Sequence, residues 1–255
     1  FIPQALALYD RGYTMILPDQ YGQGFSGGGR GDFAVELFVQ NVIDVAHWAR
    51  DRYSGPLAMG GGSLGSAVTY LAAAGGAPVA ALILHNLYDF GPHGDALNLS
   101  RFAPLRHVPG AQAVMRTMIG LGAQIAPRLR IPFRLLGDFS TMVDTPGFYD
   151  VWRTDPVPIK AVTLRYMRSL FNSPAAIPFE ANRLPALVIN PVRDQMTSPE
   201  VTWDNYQRLG GPKAYVALER GHWSVDEATA QLWADHADAF LQEHLKQDQR
   251  QLAAG

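Results

Sequence analysis

Short continuous apolar runs alternate along the chain with segments in which apolar residues recur every three or four positions. The runs have the length of buried strands and cover residues 13–17, 56–59, 79–84, 184–189 and 214–218. The segments with helical spacing predict helices at residues 1–9, 35–48, 66–74, 199–209 and 232–241. Strands and helices that alternate in this way are typical of βαβ units, which form parallel sheets covered on both faces.

This alternation stops between residues 97 and 179, which are rich in Pro, Arg, Met and Phe. The segment contains helical patches at 111–122 and 157–171 but no strand-like run. We therefore expect an α/β fold with a doubly wound, mostly parallel sheet, made from residues 1–96 and 180–255. The 97–179 segment is expected to be a helical insertion into that domain.

The composition of the chain excludes several classes of protein and of binding partner. The chain has 255 residues, of which 47% are hydrophobic, and this is enough to bury a sizeable core. The formal net charge is −2, and the densest groups of basic residues, around Arg128, Arg130 and Arg134 and around Arg165 and Arg168, are broken by apolar residues. This argues against nucleic acid as a partner. Cysteine is absent, which excludes disulfides and thiolate metal sites. No apolar run approaches the roughly 18 residues of a membrane span. We expect a cytoplasmic protein whose oligomeric state the sequence does not indicate.

The Gly-rich stretch AMGGGSLGSAV fits two motifs with different chemistry. Read as Gly60, Gly62 and Gly65, it is G-x-G-x-x-G, in which glycines bring the backbone close to the phosphates of a dinucleotide. Read as Gly61, Ser63 and Gly65, it is G-x-S-x-G, in which a serine nucleophile lies on a tight turn between a strand and a helix.

The phosphate-binding interpretation has a suitable context, because the glycines follow a strand-like run and precede a helix. Asp89, beyond the next strand, lies near the place of a ribose-binding acid. The same pattern occurs again at Gly22, Gly24 and Gly27, also after a strand-like run. The pattern therefore carries little weight in a Gly-rich α/β protein, and nucleotide binding is the weaker interpretation.

The serine interpretation makes further demands, which the rest of the sequence meets. Serine needs a base to take its proton and an acid to orient that base, in the chain order Ser, acid, His. Asp194 follows the run at 184–189, and His222 follows the run at 214–218. Because the C-terminal ends of parallel strands meet at one edge of a sheet, Ser63, Asp194 and His222 are expected to converge there.

Two polar residues follow the strand-like run at 79–84 and bear on the same site. Asp89 is a rival acid, since a carboxylate at this strand end could reach the same histidine, but we favour a role in the turn before Gly91. His85 is expected to make a buried hydrogen bond.

Three blocks make the chain, from residue 1 to about residue 244, resemble the α/β-hydrolase superfamily. They are PDQYGQGFS at 18–26, GGSLG at 61–65, and Asp194 together with Gly221-His222. The resemblance is closest to the branch of monoacylglycerol-lipase-like and serine-aminopeptidase-like esterases. It implies that the first block shapes the rim of the active site and that the 97–179 segment is a helical cap over the pocket.

The resemblance also implies a mechanism. Ser63 attacks an ester carbonyl to give an acyl-enzyme, His222 is the general base, and Asp194 orients the histidine. The backbone N–H of Leu64 is one donor to the oxyanion. The expected substrate is a small-molecule carboxylic ester, apolar or monoacylglycerol-like, and no metal or organic cofactor is required.

Other functions of the same fold stay open at this point. A thioesterase or a peptidase shares the triad, and a peptidase needs an acid for the substrate amine, for which Glu180 and Asp138 are candidates. The scaffold can also bind ligands or proteins without catalysis. The family's second oxyanion donor and the first strands of its sheet would precede Phe1, so we expect the chain to be the larger part of a longer protein or one piece of a cleaved one.

Overall fold

The computed structural model describes the backbone of residues 2–252 and the side chains of residues 2–245. The strands of the described part are β1 (Ala58–Gly62), β2 (Ala81–His85), β3 (Arg130–Pro132), β4 (Ala161–Thr163), β5 (Ala186–Pro191) and β6 (Lys213–Leu218). Four of them form a parallel sheet with the spatial order β1, β2, β5, β6. The other two, β3 and β4, form a separate antiparallel pair.

The helices are α1 (Ile2–Tyr9), α2 (Val35–Arg52), α3 (Leu64–Ala74), α4 (Ala111–Ile125), α5 (Phe148–Thr154), α6 (Leu164–Leu170), α7 (Pro199–Arg208) and α8 (Glu227–Leu252). Short 3₁₀ turns lie between some of them, for example at Ala103–His107. None of the described helices combines the length and the apolar character that crossing a membrane requires.

The central sheet is covered on both faces, as the alternating pattern predicts. Alternate residues of β2 point to opposite sides, and all five are buried. Ala81 and Ile83 belong to a core cluster shared with α1 and α8. Leu82 and Leu84 belong to a second cluster, which includes Tyr70 of α3. The prediction of a doubly wound parallel sheet is therefore confirmed.

The strand register brings several strand ends to the same level. Gly62, the last residue of β1, is the partner of His85 in β2, and His85 is in turn the partner of Ile189 in β5. In β5 and β6 the last partners are Pro191 and Leu218. The loops that follow these strands therefore leave the sheet at one edge, where the sequence places its candidate residues.

The predicted strand at 13–17 does not form. A strand needs a neighbour for its backbone hydrogen bonds, and no strand of the described residues pairs with this stretch. Its hydrophobic pattern is still used, because Tyr13 and Met15 pack against the cluster on the α1 and α8 face.

The 97–179 segment is less helical than its sequence pattern predicts. Within the predicted helix at 157–171, residues 161–163 form strand β4 and residues 164–170 form helix α6. Pairing with the distant strand β3 accounts for the difference, since Arg130 is the partner of Thr163 and Pro132 is the partner of Ala161. Tertiary pairing overrides the local pattern here.

Candidate active site

Ser63 is the single residue between strand β1 and helix α3. Its backbone angles are φ 53° and ψ −124°, a region that residues with a side chain rarely occupy. The turn is held by hydrogen bonds: the Ser63 N–H donates to the His85 carbonyl at 2.9 Å, and the Ser66 N–H donates to the Ser63 carbonyl at 3.0 Å. The strained turn places Ser63 at the C-terminal edge of the sheet.

One of the two flanking glycines is required by close packing. A Cβ atom on Gly61 would lie 2.3 Å from the Gly65 carbonyl oxygen and 2.7 Å from Thr69 Oγ1. A Cβ atom on Gly65 would meet no heavy atom within 4 Å. The sequence motif suggests that both positions must be small, whereas the structure shows this only for Gly61.

We expect Gly61→Ala to destabilise the protein by about 1–3 kcal/mol, because the added methyl group overpacks the turn. Gly65→Ala is the matched control, and its stability should be equal to that of the wild type or higher, because alanine is the better helix former. Urea unfolding monitored by circular dichroism measures both values. Equal stabilities of the two variants would contradict the packing argument.

His222 and Asp194 form a completely buried pair. The His222 Nδ1 and Asp194 Oδ2 atoms lie 2.6 Å apart, and the two side chains are 1% and 0% exposed. The other carboxylate oxygen, Oδ1, accepts the N–H groups of Met196 at 2.8 Å and Thr197 at 2.9 Å. A carboxylate held in this way accepts the Nδ1 proton, which leaves Nε2 of the neutral ring as the proton acceptor.

His85 joins the backbone of the serine turn to that of the histidine loop. Its carbonyl accepts the Ser63 N–H, and its Nε2 donates to the His222 carbonyl at 3.0 Å. Its ring stacks on Trp223 with a centroid distance of 5.3 Å. The predicted buried hydrogen bond is thus present. Burial lowers the pKa of His85 from 6.5 to about 4, so that the ring is neutral near pH 7.

We expect His85 to make stability depend on pH. Between pH 6.5 and about 4 the unfolded chain binds a proton at His85 and the folded protein does not. The contribution of His85 to the free energy of unfolding is therefore fully present above pH 6.5. It falls by about 3 kcal/mol as the pH is lowered from 6.5 to 4. His85→Gln, which keeps a donor at a similar position, should show a smaller loss in urea unfolding. The exposed His47→Gln control should behave like the wild type, and a wild-type pH dependence in both variants would contradict the argument.

The hydroxyl of Ser63 makes no hydrogen bond to His222 within the described part of the chain. Contacts between nucleophile and base are often long in ligand-free sites and shorten when substrate binds. The Leu64 N–H belongs to the first residue of α3, and such a group has no acceptor within its own helix. The start of a helix next to Ser63 is a position at which an N–H group can bind an anion.

Asp144 of the 97–179 segment holds the loop that carries His222, and the sequence motifs do not indicate it. Its Oδ2 accepts the Gly221 N–H at 3.0 Å, and its carboxylate accepts the Ser224 hydroxyl at 2.8 Å. Its own N–H donates to the Trp223 carbonyl at 3.1 Å, while the Trp223 N–H donates to the Met142 carbonyl at 3.0 Å. These contacts join positions some 80 residues apart, and no local pattern points to them.

Asp89, the rival acid, is engaged elsewhere. Its Oδ1 accepts the Gly91 N–H at 2.8 Å, and its Oδ2 lies 3.3 Å from Arg208. This arrangement fits the turn role that the sequence favours. Asp194 is the carboxylate that contacts His222.

The structure does not provide the loop that a dinucleotide cradle needs. Gly60 and Gly62 lie inside β1, and only Ser63 separates this strand from helix α3. The second pattern lies in a turn closed by a hydrogen bond from the Gly22 N–H to the Gly27 carbonyl. The helix after it begins only at Val35, too far along for its N-terminus to serve that loop.

Comparison with known proteins supports the resemblance. The family model for serine aminopeptidase, S33 matches residues 2–223. Among solved structures, a monoacylglycerol lipase from Paleococcus ferrophilus has a TM-score of 0.63 at 17% identity, with 86% of this chain and 82% of that chain covered.

Two further structures have the same fold. The α/β hydrolase GrgF from Penicillium sp. sh18 has a TM-score of 0.67 at 18% identity, covering 95% of this chain and 83% of that chain. A soluble variant of monoglyceride lipase from Saccharomyces cerevisiae has a TM-score of 0.60 at 17% identity, covering 89% of this chain and 76% of that chain. No curated protein sequence matches the chain. Because the family model spans most of its length, the chain belongs to the serine aminopeptidase, S33 family of α/β hydrolases.

Proposed function

We propose that this hydrolase cleaves carboxylic esters through an acyl-enzyme formed on Ser63. The observation that carries the proposal is the buried His222 and Asp194 pair, with Nδ1 and Oδ2 2.6 Å apart. Burying such a pair is costly unless its geometry is good and the remaining oxygen is hydrogen-bonded, and here Oδ1 accepts two backbone N–H groups. It lies on loops at the same sheet edge as the strained serine turn, and His85 links the backbones of Ser63 and His222.

In the first half of the reaction, His222 Nε2 takes the Ser63 hydroxyl proton while Oγ attacks the ester carbonyl carbon. The carbonyl oxygen becomes an oxyanion, to which the Leu64 N–H donates. Asp194 stabilises the imidazolium ring through Nδ1. Collapse of the tetrahedral intermediate breaks the bond to the alcohol oxygen, which leaves with the proton from Nε2.

In the second half, His222 takes a proton from a water molecule, which attacks the acyl-enzyme carbonyl. The tetrahedral intermediate collapses with return of the proton to Ser63 Oγ, and the carboxylic acid product leaves. Each step uses side chains and backbone groups of this chain.

The surroundings of the oxyanion donor support an apolar substrate. The Leu64 side chain packs against a cluster of apolar residues that includes Tyr88, and Phe133, Leu136 and Met167 of the 97–179 segment adjoin the same cluster. Apolar walls with a few placed polar groups suit a hydrophobic acyl chain. A helical cap formed by the 97–179 segment is part of this proposal.

The two acids considered for an aminopeptidase are already engaged. Glu180 pairs with Arg208 at 2.8 Å, which lowers the pKa of Glu180. Asp138 accepts the N–H and the hydroxyl of Ser140, and these bonds lower the pKa of Asp138. Each carboxylate thus already has a partner within this chain, which favours esters over peptides.

Hydrolysis of p-nitrophenyl esters from acetate to palmitate tests the proposal, with aminoacyl p-nitroanilides measured in parallel. We expect turnover of esters with an optimum chain length, little hydrolysis of the anilides, and labelling of Ser63 by a fluorophosphonate probe. Faster hydrolysis of the anilides would identify a peptidase instead. No turnover together with no labelling would indicate a non-catalytic scaffold.

A further inference from the structure

A cavity of about 560 Å³ lies within the 97–179 segment. Its walls come from residues 132–134 and 137–139, from Tyr149 and Trp152 on α5, and from Arg101 and Lys160. None of the three proposed catalytic residues lines it, and the proposed reaction does not use it. Its volume is in the range of sites that bind small molecules.

One part of the lining is a series of aromatic rings with nearly parallel planes. The Phe133 and Phe139 rings are 4.7 Å apart with an interplanar angle of 8°. The Phe139 and Trp152 rings are 6.0 Å apart at 8°, and the Trp152 and Tyr149 rings are 5.8 Å apart at 24°. All four side chains are only partly buried. Such a series offers stacking surfaces to a planar aromatic ligand.

The charged part of the lining is mainly cationic. Arg101, Arg134 and Lys160 contribute three positive charges, against one negative charge from Asp138. Lys160 Nζ donates to two backbone carbonyls at 2.6 and 2.7 Å, which hold the ammonium group in place. No carboxylate of the described residues forms an ion pair with Arg101 or Arg134.

The single acid offsets only one of these three cations. The Asp138 Oδ1 atom accepts the Ser140 N–H at 3.0 Å and the Ser140 hydroxyl at 2.6 Å, so this carboxylate is held by its own turn. Residues 96–137 contain six arginines and no aspartate or glutamate, in a chain whose net charge is −2. The two exposed guanidinium groups are therefore available to an anion.

We propose that this cavity binds a planar aromatic carboxylate. The aromatic ring stacks on the series formed by Phe133, Phe139, Trp152 and Tyr149, and the carboxylate pairs with the guanidinium groups of Arg134 and Arg101. The ligand is not cleaved there, because no nucleophile of the proposed triad lines the cavity. The site is thus additional to the proposed esterase site and does not depend on it.

Isothermal titration of the full chain with 2-naphthoate tests this site. Two matched probes separate its components: 2-naphthamide keeps the rings without the charge, and cyclohexanecarboxylate keeps the charge without the aromatic surface. We expect saturable binding of 2-naphthoate and at least tenfold weaker binding of both other probes. Equal binding of the three probes would overturn the proposal, as would no saturable binding of 2-naphthoate.

Two substitutions locate the binding. Arg134→Gln changes an exposed side chain and should weaken 2-naphthoate binding about tenfold. Trp152→Leu should weaken 2-naphthoate binding more than Arg134→Gln does, because it removes one of the stacking rings. Arg106 is an exposed arginine outside the cavity, so Arg106→Gln is the matched control and should have no effect on binding. Circular dichroism checks the fold of each variant. Unchanged binding in Arg134→Gln and Trp152→Leu would show that the ligand sits elsewhere, for example at Ser63, and would overturn the assignment without affecting the esterase proposal.

Discussion

Replacement of Ser63 by alanine should lower ester hydrolysis by about 10⁵- to 10⁶-fold, because the remaining groups of a triad cannot act without the nucleophile. The fold should persist, since the Ser63 side chain makes no hydrogen bond that caps helix α3. The measurement is kcat/KM for the best p-nitrophenyl ester, together with thermal unfolding of both proteins.

Ser54→Ala is a matched control for this prediction, because Ser54 is an exposed loop residue. It should keep the wild-type rate, and Ser63→Ala should lose labelling by the fluorophosphonate probe. Hydrolysis or labelling that survives in Ser63→Ala at the wild-type level would mean that another residue is the nucleophile.

Asp194→Asn should reduce kcat by about 10⁴-fold. An amide in place of the carboxylate can donate to His222 Nδ1, which favours the ring tautomer whose Nε2 carries the proton. That Nε2 cannot accept a proton from Ser63. An amide oxygen can still accept the N–H groups of Met196 and Thr197, so the stability should change much less than the rate.

Asp89→Asn is the natural comparison for Asp194→Asn, because both residues were candidates for the acid. The Asp89 carboxylate contacts Gly91 and Arg208 rather than His222. Its asparagine variant should therefore keep activity within a few-fold of the wild type. The reverse result, an inactive Asp89 variant and an active Asp194 variant, would transfer the acid role to Asp89.

The sequence allows the central sheet to be predicted because its signals are local. Strand β2 reads as a continuous apolar run because both faces of the strand are covered, and α2 shows helical spacing because one face packs on the core. The order of Ser63, Asp194 and His222 is also visible, since each follows a strand-like run and parallel strands end at one edge.

The features that the sequence does not predict depend on distant partners. The run at 13–17 has the apolar pattern of a strand, but a strand also needs a paired neighbour. The pairing of β3 with β4 joins residues about 30 positions apart and converts part of a helical pattern into a strand. Asp144 holds the histidine loop across 77 residues, and nothing near it in the sequence marks that role. For His85 the sequence predicts a buried hydrogen bond but not its partner, the His222 carbonyl 137 residues away.

Hydrogen bonds join the loop that carries His222 to the stretch from Met142 to Asp144. Four donors, three backbone N–H groups and the Ser224 hydroxyl, connect the two pieces. A displacement of this stretch as one body must either carry the loop with it or break these bonds. In the proposed mechanism the first outcome moves His222 relative to Ser63, and the second removes four of the hydrogen bonds that hold the loop of His222 in place.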